Sequence, residues 1–438
     1  MLAKSSLSVR VLFWLFIIVI ALLPFHAFIS TWLISNFGLE PLFKAWKELL
    51  LFVVMLPLAV WVALKNVKIR DILIKDRINQ LIVLFAVFNI LLAIPAANGQ
   101  QAAVAGLLFN LRFLALFIVA EVLALSVTTQ KFRQLVLKII VWGGMVVVLF
   151  GALQVLLLPH DFLRHFGYSK DLIPPYFTID NNENIVRILS TLRGPNALGA
   201  YLVFWLPLLA VATKKLWSQK TVIKVGLIVI WLASLLTLYG SRSRSAWIGV
   251  LVAGATLTLL QVNTLWRKRL LIAGSAAAVI LGLCIGLNFN SHLVQTTLLH
   301  RDPNEINTID SDNQHADSLN SALRHVISRP LGTGVGTANL ASTYGEQANI
   351  VENYYLQIAV ELGIVGCLLF IALLVLVAVR LWQLRSDTIA AALFAGFIGI
   401  FVVNLLLPAW GDETLSMLWW GLAGIVFVAK SKKVVHSK

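Results

Sequence analysis

The chain has 438 residues, of which 59% are hydrophobic and only 13% are charged. This apolar excess lies far above that of an ordinary globular protein and indicates an integral membrane protein. The net charge of +15 would suit nucleic acid, but most Lys and Arg lie in short loops between apolar runs, so we expect no nucleic-acid partner. Cys284 and Cys367 both fall within apolar runs and provide neither a disulfide framework nor a metal-ligand spacing.

Apolar runs of about 20 residues predict an all-α fold rather than a barrel of short alternating strands. We expect a polytopic membrane protein with about twelve transmembrane helices. The predicted spans are 10–35, 44–64, 79–98, 104–126, 136–158, 196–214, 221–239, 245–263, 269–288, 362–383, 388–408 and 413–430. No small-residue cleavage site follows the first apolar run, so we expect a retained first span rather than a cleaved signal peptide.

Basic residues follow every even-numbered span. Examples lie at residues 65–77, 214–224, 267–269 and 430–438. Because positively charged loops face the cytoplasm, both termini are predicted to be cytoplasmic and the remaining loops to face outward.

Two of the predicted outward loops are long. The first covers about 159–195 and lies within the region of spans 1–9, residues 1–288. The second, between spans 9 and 10, covers 289–361 and is the only sizeable segment outside the membrane. Spans 10–12 and a cytoplasmic tail occupy 362–438, and the sequence shows no internal repeat.

Within the large loop, residues 316–329 are predicted to form a helix that ends before Pro330. Asp310, Asp312 and Asp317 suggest a metal site, but their spacing lacks the glycine and the terminal glutamate of a calcium-binding loop. We therefore expect no bound metal and no cofactor.

Glycines punctuate the end of the large loop. GTGVGT at 332–337 predicts a tight turn or a backbone segment close to another group. We take Gly334 and Gly336 as candidate substrate-binding positions. Gly363 and Gly366 allow the chain to turn or to pack closely where the next span begins.

The stretch from 350 to 366 leads from the large loop into an apolar span. On a helix, Asn353, Gln357 and Glu361 fall one turn apart and form a polar stripe. Glu352 precedes them, where the helix dipole favours a carboxylate and where a base would reach a substrate with its lipid in the bilayer. A membrane helix with a capped, solvated N-terminus explains the same residues, and both interpretations stay open.

Arginines lie on the outward side, against the usual charge bias. Arg242 and Arg244 fall between spans 7 and 8, and Arg193 lies at the start of span 6. Guanidinium groups match phosphate oxygens, so three of them on the outer side would suit a diphosphate. Alternatively, each anchors the interface or pairs with an acid such as Glu413. Three further arginines are interpreted as solvated or structural: Arg187, Arg324 and Arg329.

Charged residues also fall inside predicted spans. Arg112 and Glu121 lie nine residues apart in span 4, too far apart for a direct pair. Because such charges are expensive in the bilayer, Arg112 either lines the phosphate cavity or belongs to an internal structural pair. Three residues at the start of span 2 share this ambiguity: Lys44, Lys47 and Glu48. His26 in span 1 is interpreted as a satisfied core residue.

Three stretches together resemble the O-antigen ligase and O-antigen polymerase family. GPNALGAYLVFWLP at 194–207 is similar to the family's Pro-Asn motif with a later proline. SRSRSAWIG at 241–249 resembles its Ser-Arg motif at the start of a span. RPLGTGVGTANL at 329–340, followed by ENYYLQIAVELGIVG at 352–366, resembles its Pro-Leu-Gly-x-Gly turn and His-Asn-x-x-Leu-Gln helix.

The resemblance implies a GT-C-like membrane glycosyltransferase of the bacterial cytoplasmic membrane. Its donor would be a glycan on undecaprenyl diphosphate at the outer face, and its acceptor a glycan or a lipid-anchored group. By position, Arg193 and Arg244 resemble the family's diphosphate-binding arginines, and Glu352 takes the position of the base. The candidate substrate-binding residues are Arg242, Asn196, Asn353, Gln357, Tyr355, Arg112, Gly334 and Gly336.

Glu352 departs from the family pattern, because ligases of this family have histidine at that position. A carboxylate also serves as a base, so the departure favours a polymerase or a divergent transferase over the lipopolysaccharide ligase itself. A lipid-linked glycan flippase or other transporter is the alternative. It would place charges along a path through both leaflets, usually between repeated halves. A scaffold protein would leave the outward arginines unexplained.

Overall fold

The structure, a computed structural model, describes residues 2, 5–179, 182–269, 274, 287 and 311–435. The predicted ninth span at 269–288 lies almost wholly outside these residues, as does the first part of the large loop up to 310. The predicted acid Asp310 also lies outside them, as does the side chain of Asp312.

Helices dominate the described part of the chain. They are α1 (Leu7–Leu22), α2 (His26–Phe37), α3 (Glu40–Leu49), α4 (Leu56–Lys65), α5 (Val67–Lys75), α6 (Arg77–Ala93), α7 (Gln100–Ser126), α8 (Thr129–Leu156), α9 (Pro195–Leu216), α10 (Thr221–Ser241), α11 (Arg244–Gln261), α12 (Ser311–Ser328), α13 (Tyr354–Gln383), α14 (Thr388–Val403) and α15 (Glu413–Val435). The all-α, polytopic prediction is confirmed, and the predicted loop helix at 316–329 is present as α12.

Eight helical segments of the described residues are long and apolar enough to cross a membrane. The first of these combines α1 with α2, and the second combines α3 with α4 across a π-helical turn. The pair α5 and α6 bends by 75° and makes a ninth span if it is counted as one. Because α14 and the apolar part of α15 are shorter, the count of twelve spans stays a prediction.

α7 packs against α15 in the centre of the bundle. From Phe113 to Ala124 almost every α7 residue is buried. A Cβ atom at Gly424 would lie 2.6 Å from the carbonyl oxygen of Phe117, so the two backbones approach closely, as small residues permit in membrane helices. The Phe113 and Trp420 rings lie 5.5 Å apart. This packing fixes the charged residues that α7 and α15 carry.

The first of the two long loops contains a short antiparallel hairpin that the sequence pattern did not predict. Strand β1 (Phe177–Ile179) pairs with β2 (Asn182–Arg187), and Phe177 lies opposite Arg187. The chain then returns to the bundle, where Ser190 Oγ donates to Val147 O at 2.7 Å. The segment after Arg187 is therefore held in a fixed position against the helices.

α13 is broken at Gly363, which has φ +67° inside the helix. The break lies against the turn at Gly332, whose added Cβ would be 2.4 Å from Gly363 N. Ile364 N donates to Pro330 O at 2.9 Å and joins the two segments. The turn or close packing predicted for Gly363 is confirmed, and α13 starts at Tyr354, well before the predicted span at 362.

Candidate active site

The segment after β2 and the turn between α10 and α11 meet at one end of the bundle. Ile188 N donates to Gly240 O at 3.0 Å, which ties the chain after β2 to the end of α10. A Cβ at Gly199 would lie 2.6 Å from Ala246 Cβ, so the start of α9 touches the start of α11. We call the arginines of these two segments the arginine cluster. Its members are Arg187, Arg193, Arg242 and Arg244.

Arg187 joins the two segments directly. Its Nε donates to Ser241 O at 3.0 Å, and its Nη2 donates to Asn196 Oδ1 at 2.6 Å. Burial and the neighbouring Arg244 guanidinium lower the pKa of Arg187 to about 10. Within the described residues, no carboxylate forms an ion pair with Arg187. A bound anion would therefore stabilise this charge.

The sequence pattern interpreted Arg187 as solvated or structural and so missed its place beside Arg244. Its backbone bond to Ser241 is structural, as expected. The sequence places Arg187 six residues before Arg193 but gives no sign that it reaches Ser241. The structure also adds a role for Asn196, whose side-chain oxygen positions the Arg187 guanidinium.

Arg242 and Arg244 occupy the sharp reversal between α10 and α11. Arg242 adopts φ +51°, an uncommon left-handed conformation for a side chain with a Cβ atom. Its guanidinium lies 4.3 Å from the centre of the Tyr239 ring. Its buried Nε has no hydrogen-bond partner among the described residues. Arg244 is the first residue of α11, close enough to Arg187 to lower that pKa.

Arg193 lies near two acids that precede and begin α15. Burial and the adjacent Glu413 carboxylate raise the pKa of Asp412, and the Arg193 charge partly offsets that rise. Asp412 Oδ1 accepts a hydrogen bond from Leu415 N at 3.0 Å and so caps the helix. The sequence left open whether Arg193 lies near Glu413, and the structure brings them into the same neighbourhood.

Arg112 belongs to a buried ion-pair network. Its Nη1 lies 2.7 Å from Glu48 Oε1, and its Nη2 lies 3.3 Å from Glu413 Oε2 and 2.6 Å from Gly411 O. Lys47 Nζ lies 3.1 Å from the other Glu48 oxygen. Arg112 is only 1% exposed. The structure therefore shows the internal pair that was one of the two interpretations of Arg112, and its predicted substrate contact stays a prediction.

His26 extends the same network, as a satisfied core residue should. Its Nδ1 accepts a hydrogen bond from Trp46 Nε1 at 2.8 Å, and its Nε2 lies 2.8 Å from Lys47 Nζ. Glu121, farther along α7, accepts a hydrogen bond from Asn79 Nδ2 at 2.8 Å. As expected, Glu121 does not pair with Arg112.

Glu352 is exposed immediately before α13. The next residue, Asn353, caps the helix by accepting from Leu356 N at 3.0 Å. Asn353 Nδ2 also donates to Leu405 O at 2.9 Å. The start of α13 is thus fixed to the loop after α14, which continues to Asp412 near Arg193. Asn353 positions Glu352, and its own polar atoms are occupied within the protein.

The other polar residues of α13 point into the protein. Gln357 is 3% exposed and Glu361 is fully buried. The Tyr355 hydroxyl donates to Phe401 O at 3.1 Å, which ties α13 to α14. The predicted polar stripe exists, but it faces the bundle. The substrate contacts predicted for Gln357 and Tyr355 stay predictions.

The glycine-rich turn binds a carboxylate of the protein itself. Gly336 N and Ala338 N donate to Glu361 Oε1 at 3.1 and 3.2 Å, and Asn110 Nδ2 donates to Glu361 Oε2 at 3.0 Å. Gly334 N donates to the Glu361 carbonyl oxygen at 3.0 Å. Because these amides are occupied, the geometry favours a structural role for Gly334 and Gly336 over the predicted substrate contact.

A comparison with protein families found a match. Residues 228–371 match the family described as O-antigen ligase. This part of the chain is therefore similar to O-antigen ligases. A comparison with curated proteins found no match.

The range that matches the O-antigen ligase family contains much of the candidate site. It includes the α10–α11 reversal with Arg242 and Arg244, the glycine-rich turn and Glu352. Arg193 and Asn196 precede the matched range, and the structure connects them to it through Arg187. Together with the apolar helices, the match supports a glycosyltransferase-like membrane enzyme with an O-antigen ligase or polymerase role.

Proposed function

We propose that this protein transfers or polymerises a glycan carried on undecaprenyl diphosphate at the outer face of the bacterial cytoplasmic membrane. The observation that carries the proposal is the arginine cluster. Arg187 and Arg244 lie close enough to repel each other, and Arg187 has no carboxylate partner among the described residues. Like charges held together in this way favour binding of a polyanion.

The diphosphate is the group that the cluster would stabilise. Arginine donates paired hydrogen bonds to phosphate oxygens in a fixed fork. When the bond between the sugar carbon and the diphosphate oxygen breaks, negative charge develops on the departing diphosphate. Preorganised cations at that position lower the barrier. In this proposal Arg193 and Arg244 contact the diphosphate, while Arg242 and Arg187 add charge beside them.

Glu352 is the proposed general base. Its exposed carboxylate would accept the proton of the acceptor hydroxyl as that oxygen bonds to the sugar carbon. The diphosphate leaves from the opposite face, so the configuration of the carbon inverts. The proton on Glu352 then passes to water. Asn353 supports this role, because it donates to Leu405 O in the α14–α15 loop and caps α13 by accepting from Leu356 N, which fixes the chain next to Glu352.

The proposed orientation follows from charge. Lys220 and Lys224 lie at the start of α10, and the arginine cluster lies at its other end. Since basic loops face the cytoplasm, the cluster would face outward. This location agrees with a substrate whose lipid lies in the outer leaflet and whose glycan lies in water.

The transport alternative requires a polar path through both leaflets. Buried charges occur at two levels of α7, at Arg112 and at Glu121. The α7 segment between them is apolar and almost wholly buried, with Phe113, Leu114 and Phe117 at 1% exposure or less. This packing between the two polar levels favours the transferase over a transporter.

The direct test replaces the proposed base. Glu352→Gln should lower transfer by the purified protein, given lipid-linked glycan and acceptor, by about 10²–10⁴-fold. Glu346→Gln is the matched control, because Glu346 is another exposed carboxylate in the same loop. Full activity of Glu352→Gln would show that another group is the base.

A second experiment separates polymerase from ligase. The surface glycan and the lipid-linked pool of a strain lacking this gene would be analysed together. Single repeat units with no long chains would identify a polymerase. Long chains that accumulate on the lipid carrier would identify a ligase.

A further inference from the structure

A cavity lies at the end of the bundle opposite the arginine cluster. It forms because α5 turns away from α6 by 75°, which opens a space beside the last turns of α13. The cavity measures about 360 Å³. It is lined by Ile72, Lys75, Asp76, Arg77, Ile78, Leu376, Val379, Arg380 and Gln383.

The cavity wall carries excess positive charge. Asp76 is its only acidic lining residue, and both of its oxygens are engaged: Oδ1 accepts from Ile78 N at 2.8 Å, and Oδ2 binds Arg380. Lys75 and Arg77 are exposed and form no ion pair with any carboxylate in the described ranges. Lys75 and Arg77 therefore remain available to bind an anion beside the neutralised Asp76–Arg380 pair.

The opposite wall is apolar and continues into the bilayer. Leu376 and Val379 lie one turn apart on α13, and Val379 is 47% exposed. Deeper along the same helices, the Phe85 and Phe370 rings lie 5.6 Å apart and close α6 against α13. The cavity is thus an open pocket with cations on one wall and apolar side chains on the other.

α5 has the properties of a helix lying in the membrane interface. Its apolar Ile72 and Ile74 are 42% and 62% exposed, and Lys68 and Lys75 are also exposed. Exposed isoleucines beside exposed lysines suit the headgroup boundary of a membrane, which offers both apolar and charged partners. The basic loops lie on this side, which the charge rule assigns to the cytoplasm, where anionic lipids attract basic segments.

We propose that this cavity binds the headgroup of an anionic phospholipid. Lys75 and Arg77 would contact the phosphate, and an acyl chain would lie along Leu376 and Val379. The apolar wall distinguishes this occupant from free phosphate, which has no group to place there. The site is separate from the proposed transfer site and does not depend on it.

The test measures lipid bound to the full-length protein in detergent by native mass spectrometry. Phosphatidylglycerol and phosphatidylethanolamine would be titrated separately. Lys75→Ala with Arg77→Ala should weaken phosphatidylglycerol binding by about five-fold for each cation removed, with little effect on phosphatidylethanolamine. Lys131→Ala with Lys138→Ala is the matched control, since it removes two exposed charges near the same membrane face but outside the cavity.

A third variant tests the cavity without changing charge. Ile72→Trp should fill the space and weaken phosphatidylglycerol binding while Lys75 and Arg77 remain. Equal losses in the cavity and control double variants would overturn the proposal, because the effect would then be general surface attraction. Equal affinity of the wild type for both lipids would also overturn it. Displacement of the lipid by millimolar inorganic phosphate would indicate a phosphate site instead.

Discussion

Two groups of cations in this protein differ in how their charge is neutralised. The Arg112 guanidinium contacts two carboxylates, Glu48 and Glu413, at 2.7 and 3.3 Å, and it is buried. Arg187, in the arginine cluster, bonds only neutral oxygens and lies near another cation. The same residue type therefore stabilises the fold in one place and is suited to bind an anion in the other. The partners of each guanidinium distinguish the two groups.

The largest expected effect comes from removing the neutralised cation. Arg112→Ala leaves Glu48 and Glu413 buried and facing each other without their shared partner. We expect a loss of about 3–5 kcal/mol in the free energy of unfolding. This loss is measured by unfolding the purified protein in detergent and monitoring its tryptophan fluorescence. If Arg112→Ala were as stable as the wild type, the distinction between the two groups would fail.

A substitution in the arginine cluster should lower activity and leave the free energy of unfolding almost unchanged. Arg244→Gln is expected to lower transfer activity by about 10²–10³-fold, since one donor to the departing diphosphate is lost. Its free energy of unfolding should change by less than about 1 kcal/mol, because repulsion of Arg187 is relieved at the same time. Arg329→Gln, at an exposed arginine of the large loop, is the control and should retain activity. A large loss of stability in Arg244→Gln would show that Arg244 stabilises the fold as Arg112 does.

The buried acid Glu361 extends the comparison to carboxylates. Backbone amides and an asparagine, rather than arginine, donate hydrogen bonds to this carboxylate. Glu361→Gln replaces one acceptor oxygen with an NH₂ group that faces other hydrogen-bond donors. We therefore expect the free energy of unfolding to fall by about 1–3 kcal/mol. Hydrogen exchange at residues 332–338 should accelerate in this variant. Glu352→Gln, nine residues earlier and exposed, should leave that exchange unchanged.

The smallest effect is expected at a solvent-exposed pair. Arg70 and Asp71 lie 3.3 Å apart, with their side chains 42% and 46% exposed. Water screens such pairs, so Arg70→Ala should change the free energy of unfolding by less than about 0.5 kcal/mol. The same fluorescence measurement applies. A change comparable with that of Arg112→Ala would mean that exposure does not govern the contribution of ion pairs here.

The helical membrane fold was predictable because it depends on properties local in sequence. Long apolar runs and the turn at Gly363 both follow from composition or from a single residue type. The hairpin at β1 and β2 was missed, because two short strands carry little periodic signal. The O-antigen ligase resemblance was also accessible, since its motifs are contiguous stretches.

The partners of the charged residues were not predictable in the same way. Arg112 meets Glu48 and Glu413, which lie far away along the chain on other helices. The spacing of charges within one span cannot show which distant side chain faces them. Arg187 was missed for the same reason, because its neighbours Asn196 and Ser241 become adjacent only through the fold.

The contact between Pro330 and Ile364 closes the end of the large loop into a ring. Glu352 belongs to that ring, so its position depends on residues from Pro330 onward and on the helices they touch. Insertions or deletions before α12 would leave the ring intact, since loop-closure entropy changes slowly with length. Descendants of this protein can therefore vary the length of the preceding part of the loop while Glu352 keeps its place.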